Sequence, residues 1–164
     1  MSAFASVDVL DGLAGAPSIS FRNDTVKGFY SSGSGEMRFA AAGIDVVRMG
    51  TAGLGYATGQ GGVVTQATDK STGVTLNRLC GQVTMNGAAL AAAAEVAHTF
   101  TNSLVTAVDM VDVAISSGAT AGAYTITVDA IAAGSFRVSL GNDSAGSLSE
   151  AIVYNFMVFK GANS

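Results

Sequence analysis

A two-residue alternation of apolar and polar side chains, cut at short intervals by turn-forming residues, constrains this chain more than any other feature. Val96, His98 and Phe100 alternate with Ala97, Thr99 and Thr101. Val111, Val113 and Ile115 alternate with Asp112, Ala114 and Ser116. Tyr124, Ile126 and Val128 alternate with Thr125, Thr127 and Asp129, and Phe136, Val138 and Leu140 with Arg137 and Ser139. Successive side chains of a strand point to opposite faces, so each run offers one apolar and one polar face. Ser116-Ser117-Gly118, Ala132-Ala133-Gly134 and Gly141-Asn142-Asp143 separate the runs. Short strands split by such turns predict an all-β fold of the antiparallel sandwich or barrel type. The expected form is a jelly-roll-like β-sandwich. The Ala-rich stretch Ala88 to Val96, which Asn86 is placed to cap, is the one candidate helix. A loop joining two strands accounts for it equally well.

The last strand breaks the alternation. In Ile152-Val153-Tyr154-Asn155-Phe156-Met157-Val158-Phe159 both sets of side chains are largely apolar, and a strand apolar on both faces is covered on both faces. In a small sandwich one face meets the core, and the other is expected to meet another subunit. Composition points the same way. Charged residues make up 12% of 164 residues, about half of the ~25% usual in soluble domains, while mean hydropathy is +0.43. A monomer so poor in charge lacks the mixed, charged surface that keeps domains apart. An obligate homo-oligomer that hides surface between copies is therefore expected. The residues expected at that contact are Val153, Asn155, Met157 and Phe159, with Phe21 and Phe39 from the N-terminal region.

Residues 50–62 hold six glycines and predict a boundary. The expected organisation is an N-terminal arm over 1–16, a small β region over 17–56, a Gly-rich linker over 57–62 and a β-sandwich knob over 63–164. Short strands are expected around Ser6–Leu10, Ser18–Phe21, Gly28–Tyr30, Glu36–Ala40 and Asp45–Met49. A piece of this size is short of core by itself and gains stability when several copies wrap together. Residues 1–16 lack a basic start and an unbroken apolar stretch, so synthesis without a secretory signal and without membrane insertion is expected.

Residues able to do chemistry are sparse. The net charge of −4 argues against nucleic acid as a partner, which calls for a basic face. Gly53-Leu54-Gly55 with Gly59 is one residue too long for the dinucleotide fingerprint, and no Lys-Ser or Lys-Thr pair follows it. One Cys, Cys80, and one His, His98, make neither a disulfide nor a metal site. His98 alternates with Val96 and Phe100 and is expected to be a partly buried, satisfied histidine; Cys80 is expected to be a small buried hydrophobe. Asp109, Asp112 and Asp129 are expected as solvated turn and strand-edge charges rather than an acid–base pair. No enzyme, catalytic residue, metal or cofactor is expected. Asn23-Asp24-Thr25 and Asn142-Asp143-Ser144 match the glycosylation sequon, which carries little weight without secretion.

Two stretches resemble phage proteins. Pro17-Ser18-Ile19-Ser20-Phe21, Asp24-Thr25 and Gly28-Phe29-Tyr30 come first. Gly35-Glu36-Met37-Arg38-Phe39, Gly43 and Val47-Arg48-Met49 follow. This pattern resembles a repeat of bacteriophage tail-fibre proteins. The segments from Val63 to Asn77 and from Ser147 to Phe156 resemble a β domain of small phage-encoded proteins found beside fibre and head genes. The resemblance implies a homotrimeric virion protein with an intertwined N-terminal part and a C-terminal knob. Tail fibres are usually several times longer, which favours a short head fibre or a capsid decoration trimer. It would be assembled in the bacterial cytoplasm and docked to the major capsid protein or another virion protein through its N-terminal arm. The competing expectation is a receptor-binding module whose turns recognise a host-surface glycan.

Overall fold

The computed structural model describes residues 10–33 and 35–163. Residues 1–9 of the expected docking arm, and with them most of the strand expected at Ser6–Leu10, lie outside the described residues. The chain divides into two compact units, with the boundary between Gln60 and Gly61. The described residues form strands, turns and loops without a helix.

The N-terminal unit is one five-stranded antiparallel sheet in simple meander order: β1 (Ile19–Phe21), β2 (Asp24–Ser31), β3 (Met37–Ala41), β4 (Ile44–Gly50) and β5 (Gly53–Tyr56). Each strand pairs with its sequence neighbour in the same chain, with Ile19 opposite Phe29, Phe29 opposite Phe39, Phe39 opposite Val47 and Val47 opposite Tyr56. The β1–β2, β3–β4 and β4–β5 connections are two residues long. Ala42 and Gly43, for example, both take positive φ between β3 and β4, the conformation that a two-residue hairpin of this twist requires. The segment expected as a linker begins attached to this unit. Ala57 is buried and donates its amide to Val46, and the Gln60 side chain donates to the Asp45 carbonyl at 2.6 Å.

The C-terminal unit holds two four-stranded sheets, consistent with a β-sandwich. Its strands are β6 (Gly61–Thr65), β7 (Val74–Thr75), β8 (Cys80–Thr84), β9 (Glu95–Thr101), β10 (Met110–Ser117), β11 (Tyr124–Ala132), β12 (Ser135–Asn142) and β13 (Val153–Phe159). The orders are β10-β13-β8-β6 and β11-β12-β9-β7. In one respect the expected all-antiparallel, jelly-roll-like arrangement is corrected: β6 pairs with β8, and β7 with β9, in parallel. Strands β6 to β9 are placed alternately in the two sheets. A chain that crosses the sandwich twice reverses direction twice, so it returns to its first sheet running the same way.

The core lies between these sheets. Phe100 and Phe136 stack with centroids 4.5 Å apart, and Phe156 meets Phe100 edge-on at 4.7 Å. Val83, Met85, Val138, Leu140, Ile152, Tyr154 and Val158 complete it, each essentially inaccessible. The alternation in β9, β12 and β13 therefore does what period two dictates. The Ala88–Ala94 stretch is a loop pinned by a two-residue bridge between Leu90 and Leu148. Alanine's helix propensity loses here because the buried Asn142 side chain takes the carbonyls of Leu90 and Ala91 at 2.9 and 3.0 Å, engaging groups a helix would need for itself.

Candidate functional site

The N-terminal sheet gathers its large apolar side chains into rows. The register places Ile19, Phe29, Phe39 and Val47 in one cross-strand row, and Met37, Met49 and Leu54 in the next. Phe29 and Phe39 touch with ring centroids 5.1 Å apart. Between the rows lie shallow grooves of about 180 and 140 Å³. Phe29 is 48% exposed, Met37 52%, Met49 50% and Leu54 74%. Among the described residues of the unit, the buried apolar ones are small or polar-tipped, such as Ala40, Ala57 and Tyr30. A sheet apolar on one face is stable when that face meets a second layer, and the described residues of this unit supply none.

The opposite face carries the charges. The Arg38 guanidinium donates to Asp45 Oδ2 at 2.7 Å and to Glu36 Oε2 at 3.0 Å, and Arg48 donates to Glu36 Oε1 at 3.0 Å. The Tyr30 hydroxyl donates to Asp45 Oδ1 at 2.5 Å. The arginine hydrogen bonds hold the Glu36 carboxyl below its ordinary range. Burial, followed by the Asp45 hydrogen bond, pushes the Tyr30 phenol up. This network satisfies its own charges, and Lys27, two residues before Phe29 on β2, is paired with Asp24 at 2.8 Å.

Of the six residues expected at a subunit contact, Phe39 lies in the apolar row, and Phe21 stands exposed at the hairpin end of β1. Sequence reasoning missed Ile19, Phe29, Met37, Val47, Met49 and Leu54. The signal was present in Met37-Arg38-Phe39 and Val47-Arg48-Met49, where an arginine separates two apolar residues that share a face. The other four residues, Val153, Asn155, Met157 and Phe159, fall on the outer side of β13, while Tyr154, Phe156 and Val158 fill the core. Their neighbours are Met110 beside Phe159, Cys80 beside Met157, and Gln82 donating to the Asn155 side chain at 3.1 Å. This outer face is mixed rather than uniformly apolar, because Asp112 and the amide pair interrupt it.

The residues able to do chemistry are scattered. His98 is 2% exposed and its Nε2 lies 2.8 Å from the Tyr154 hydroxyl. Its Nδ1 has no hydrogen-bond partner, so the expected satisfied histidine is only half satisfied. Burial lowers its pKa to about 4, which leaves it neutral at ordinary pH. Burial also pushes the Cys80 thiol up, away from the thiolate a nucleophile needs. Asp109 corrects the expectation of a solvated charge, for its side chain is wholly inaccessible. It accepts from the amides of Thr106 at 2.8 Å and Gly161 at 3.0 Å and pairs with Lys160. Burial by itself would raise that carboxyl, but Lys160 and the two amides outweigh it and hold it well below the usual range. Asp129 does lie on the exposed face expected of it, in a two-pronged pair with Arg137 at 2.6 and 2.7 Å. Asn142, whose sequon reads as a modification site, is buried with its amide spent on three carbonyls.

One buried cation went unnoticed in the sequence. Lys70 is 3% exposed, and its ammonium donates to the carbonyls of Asn86 and Glu150. Gln66 holds the Lys70 and Thr72 carbonyls and accepts from the Asn86 amide. This is a structural clamp joining the loop after β6, the end of β8 and the approach to β13. Among the described residues no group of three or more His, Cys, Asp or Glu converges on a common point. Comparison of the chain with protein-family models, with curated proteins and with solved structures finds no match.

Proposed function

We propose that the protein is a structural, non-enzymatic component of a bacteriophage particle, a homotrimer that serves as a short fibre or decoration protein on the particle surface. The observation that carries this reading is the N-terminal sheet, whose half-exposed aromatic and aliphatic rows have no covering layer among the described residues of that unit. A chain built this way is made to be assembled. In this reading Phe21 and Phe39 contact neighbouring copies at the N-terminal end. Val153, Asn155, Met157 and Phe159 do so on the outer side of β13. The arm over residues 1–16 docks to the major capsid protein or another virion protein. A closed trimer suits a local threefold position of a shell, since one trimer fills one site. The fibre-like pattern between Pro17 and Met49 supplies the phage context, and the sparse, scattered titratable groups favour structure over catalysis.

Two measurements test it. Light scattering on the full chain is expected to give a mass near three chains; a monomer at micromolar concentration would remove the reading. Antibody against the chain is expected to decorate the outside of particles whose genome encodes it, and absence of label would refute the location.

A second reading, recognition of a host-surface glycan, draws on an open depression of about 310 Å³ in the β10–β11 loop, edged by Ser116, Ser117, Thr120 and Tyr124. Hydroxyls beside one aromatic ring suit a sugar. Binding of the full chain to a glycan array, weakened by Tyr124→Ala, would favour it over a purely structural role.

A further inference from the structure

We infer that copies of this chain associate through the broad apolar face of the N-terminal sheet, packed face to face on the same face of neighbouring copies, and not through exchange or addition of strands at its edges. The inference rests on the assembly reading above and names the surface that performs it.

Three observations point to it. First, every strand of the sheet is already paired within its own chain, in the order β1 to β5, so no partner strand is needed to complete a ladder. Second, the two edges are poor templates. Edge strand β1 spans three residues with a register shift after Ser20, and edge strand β5 spans four, two of them glycine. Short, irregular edges are the means by which sheets discourage strand addition. Third, the two apolar rows are large and hold no charged side chain. Ile19, Phe29, Met37, Met49 and Leu54, each at least half or nearly half exposed, offer together on the order of 500 Å² of apolar surface. A stable interface takes about 800 Å² from each partner, and Phe39 and Val47 lie in the same rows to extend it.

The occupant follows from the charge. Glu36, Arg38, Asp45 and Arg48 are bound to one another on the far face, so the apolar rows offer nothing to a charged partner. They select a surface equally free of charge, and the same rows on another copy form one, present at equal concentration by construction. In a trimer each copy turns this face toward the common threefold axis and against the same face of its two neighbours, where such side chains interdigitate. It also follows that the N-terminal sheet gains its core by associating. Its order is then tied to protein concentration, whereas the C-terminal unit carries its own aromatic core.

The test uses the full chain and two variants. Phe29→Glu puts a charge in the centre of the apolar face. Ser20→Lys puts one on edge strand β1, where it blocks strand addition. Light scattering and amide hydrogen exchange are read over a dilution series of about three decades. Wild type is expected to associate, and its β2–β4 amides to gain protection as it does, while β9, β12 and β13 stay protected throughout. Phe29→Glu is expected to move the dissociation midpoint roughly tenfold or more to higher concentration, with the β9–β13 protection intact as proof that the chain has folded. Ser20→Lys is expected to leave the midpoint in place. If Ser20→Lys dissociates the oligomer and Phe29→Glu does not, association is through the edge; the inference falls and the assembly reading stands. If Phe29→Glu changes nothing and β2–β4 are protected in a monomer, the face is covered within the chain or by another protein, and both fall.

Discussion

Lowering the pH from 7 to 4.5 is expected to destabilise the C-terminal unit by about 2.5 kcal/mol through His98 alone. The ring is 2% exposed between the sheets, its Nε2 against the Tyr154 hydroxyl and its Nδ1 without a partner. Burial lowers its pKa from 6.5 to about 4. Unfolded chain therefore takes up the proton more readily than folded chain. Stability is fully present above about pH 6.5, falls as the pH drops below that value, and levels off below about 4. Between pH 7 and 4.5 most of the 2.5-unit difference is realised, at 1.36 kcal/mol per unit. Carboxylates held low in the fold, Asp109 foremost, add their own loss at lower pH. The window from 6.5 to 4.5 thus belongs mainly to the chain's one histidine. The assay is urea unfolding of the full chain across pH, followed by the exchange of β9 and β13 amides, beside His98→Gln, which removes the titration and keeps a polar reach toward Tyr154. In a domain of about 100 residues the loss amounts to roughly 10–20 °C in Tm. The reasoning is refuted if wild type and His98→Gln show the same pH slope between 6.5 and 4.5, since the buried ring would then contribute nothing.

Gly118 takes φ +74°, and a Cβ there would stand 2.4 Å from the Ala151 carbonyl oxygen. Gly118→Ala is expected to cost about 2 kcal/mol or more in urea unfolding. Lys70→Met removes the donor shared by the Asn86 and Glu150 carbonyls and is expected to cost about 2–4 kcal/mol. Lys27→Met, at an exposed pair with Asp24, should stay within about 0.5 kcal/mol. Asn142→Ala strips the carbonyls of Leu90, Ala91 and Gly146 of their donor. It should cost about 2 kcal/mol and speed amide exchange in residues 88–94 before the rest of the unit.

The strands of the C-terminal unit were legible because its core faces obey period two without interruption: Phe100, Phe136, Val138, Leu140, Tyr154, Phe156 and Val158 all sit where alternation puts them. What stayed hidden depends on pairing between distant segments. The parallel edges β6 and β7 follow from which sheet each strand joins, and the alternation of a single strand carries no record of its neighbour. Lys70 reads as a surface lysine until Asn86 and Glu150 bring their carbonyls to it from 16 and 80 residues away. Asp109 reads as a turn charge until Gly161 and Lys160 arrive from the last residues of the chain. The apolar face of the N-terminal sheet was written locally, in residues flanking Arg38 and Arg48. Only the register between strands shows that these flanking residues form rows.

The two units solve the problem of a weakly charged chain in opposite ways. In the C-terminal unit the sheets face each other, and one outer face carries Thr99, Thr125, Thr127 and the Asp129–Arg137 pair toward water. In the N-terminal unit the ion network occupies one side of a single layer, and the other side has no inside to turn to. Charge placement in a monomer normally serves solubility, with both signs spread over the surface. Here Glu36, Arg38, Asp45 and Arg48 are gathered on one face and neutralise one another, which does little for solubility. It does keep those four charges off the apolar rows that would have to be desolvated on association. Burying an unpaired charge costs several kcal/mol, so clearing that face is worth more to an interface than any single contact across it. A sheet arranged for solubility would distribute those four groups. Confining them to one side is what the proposed assembly requires.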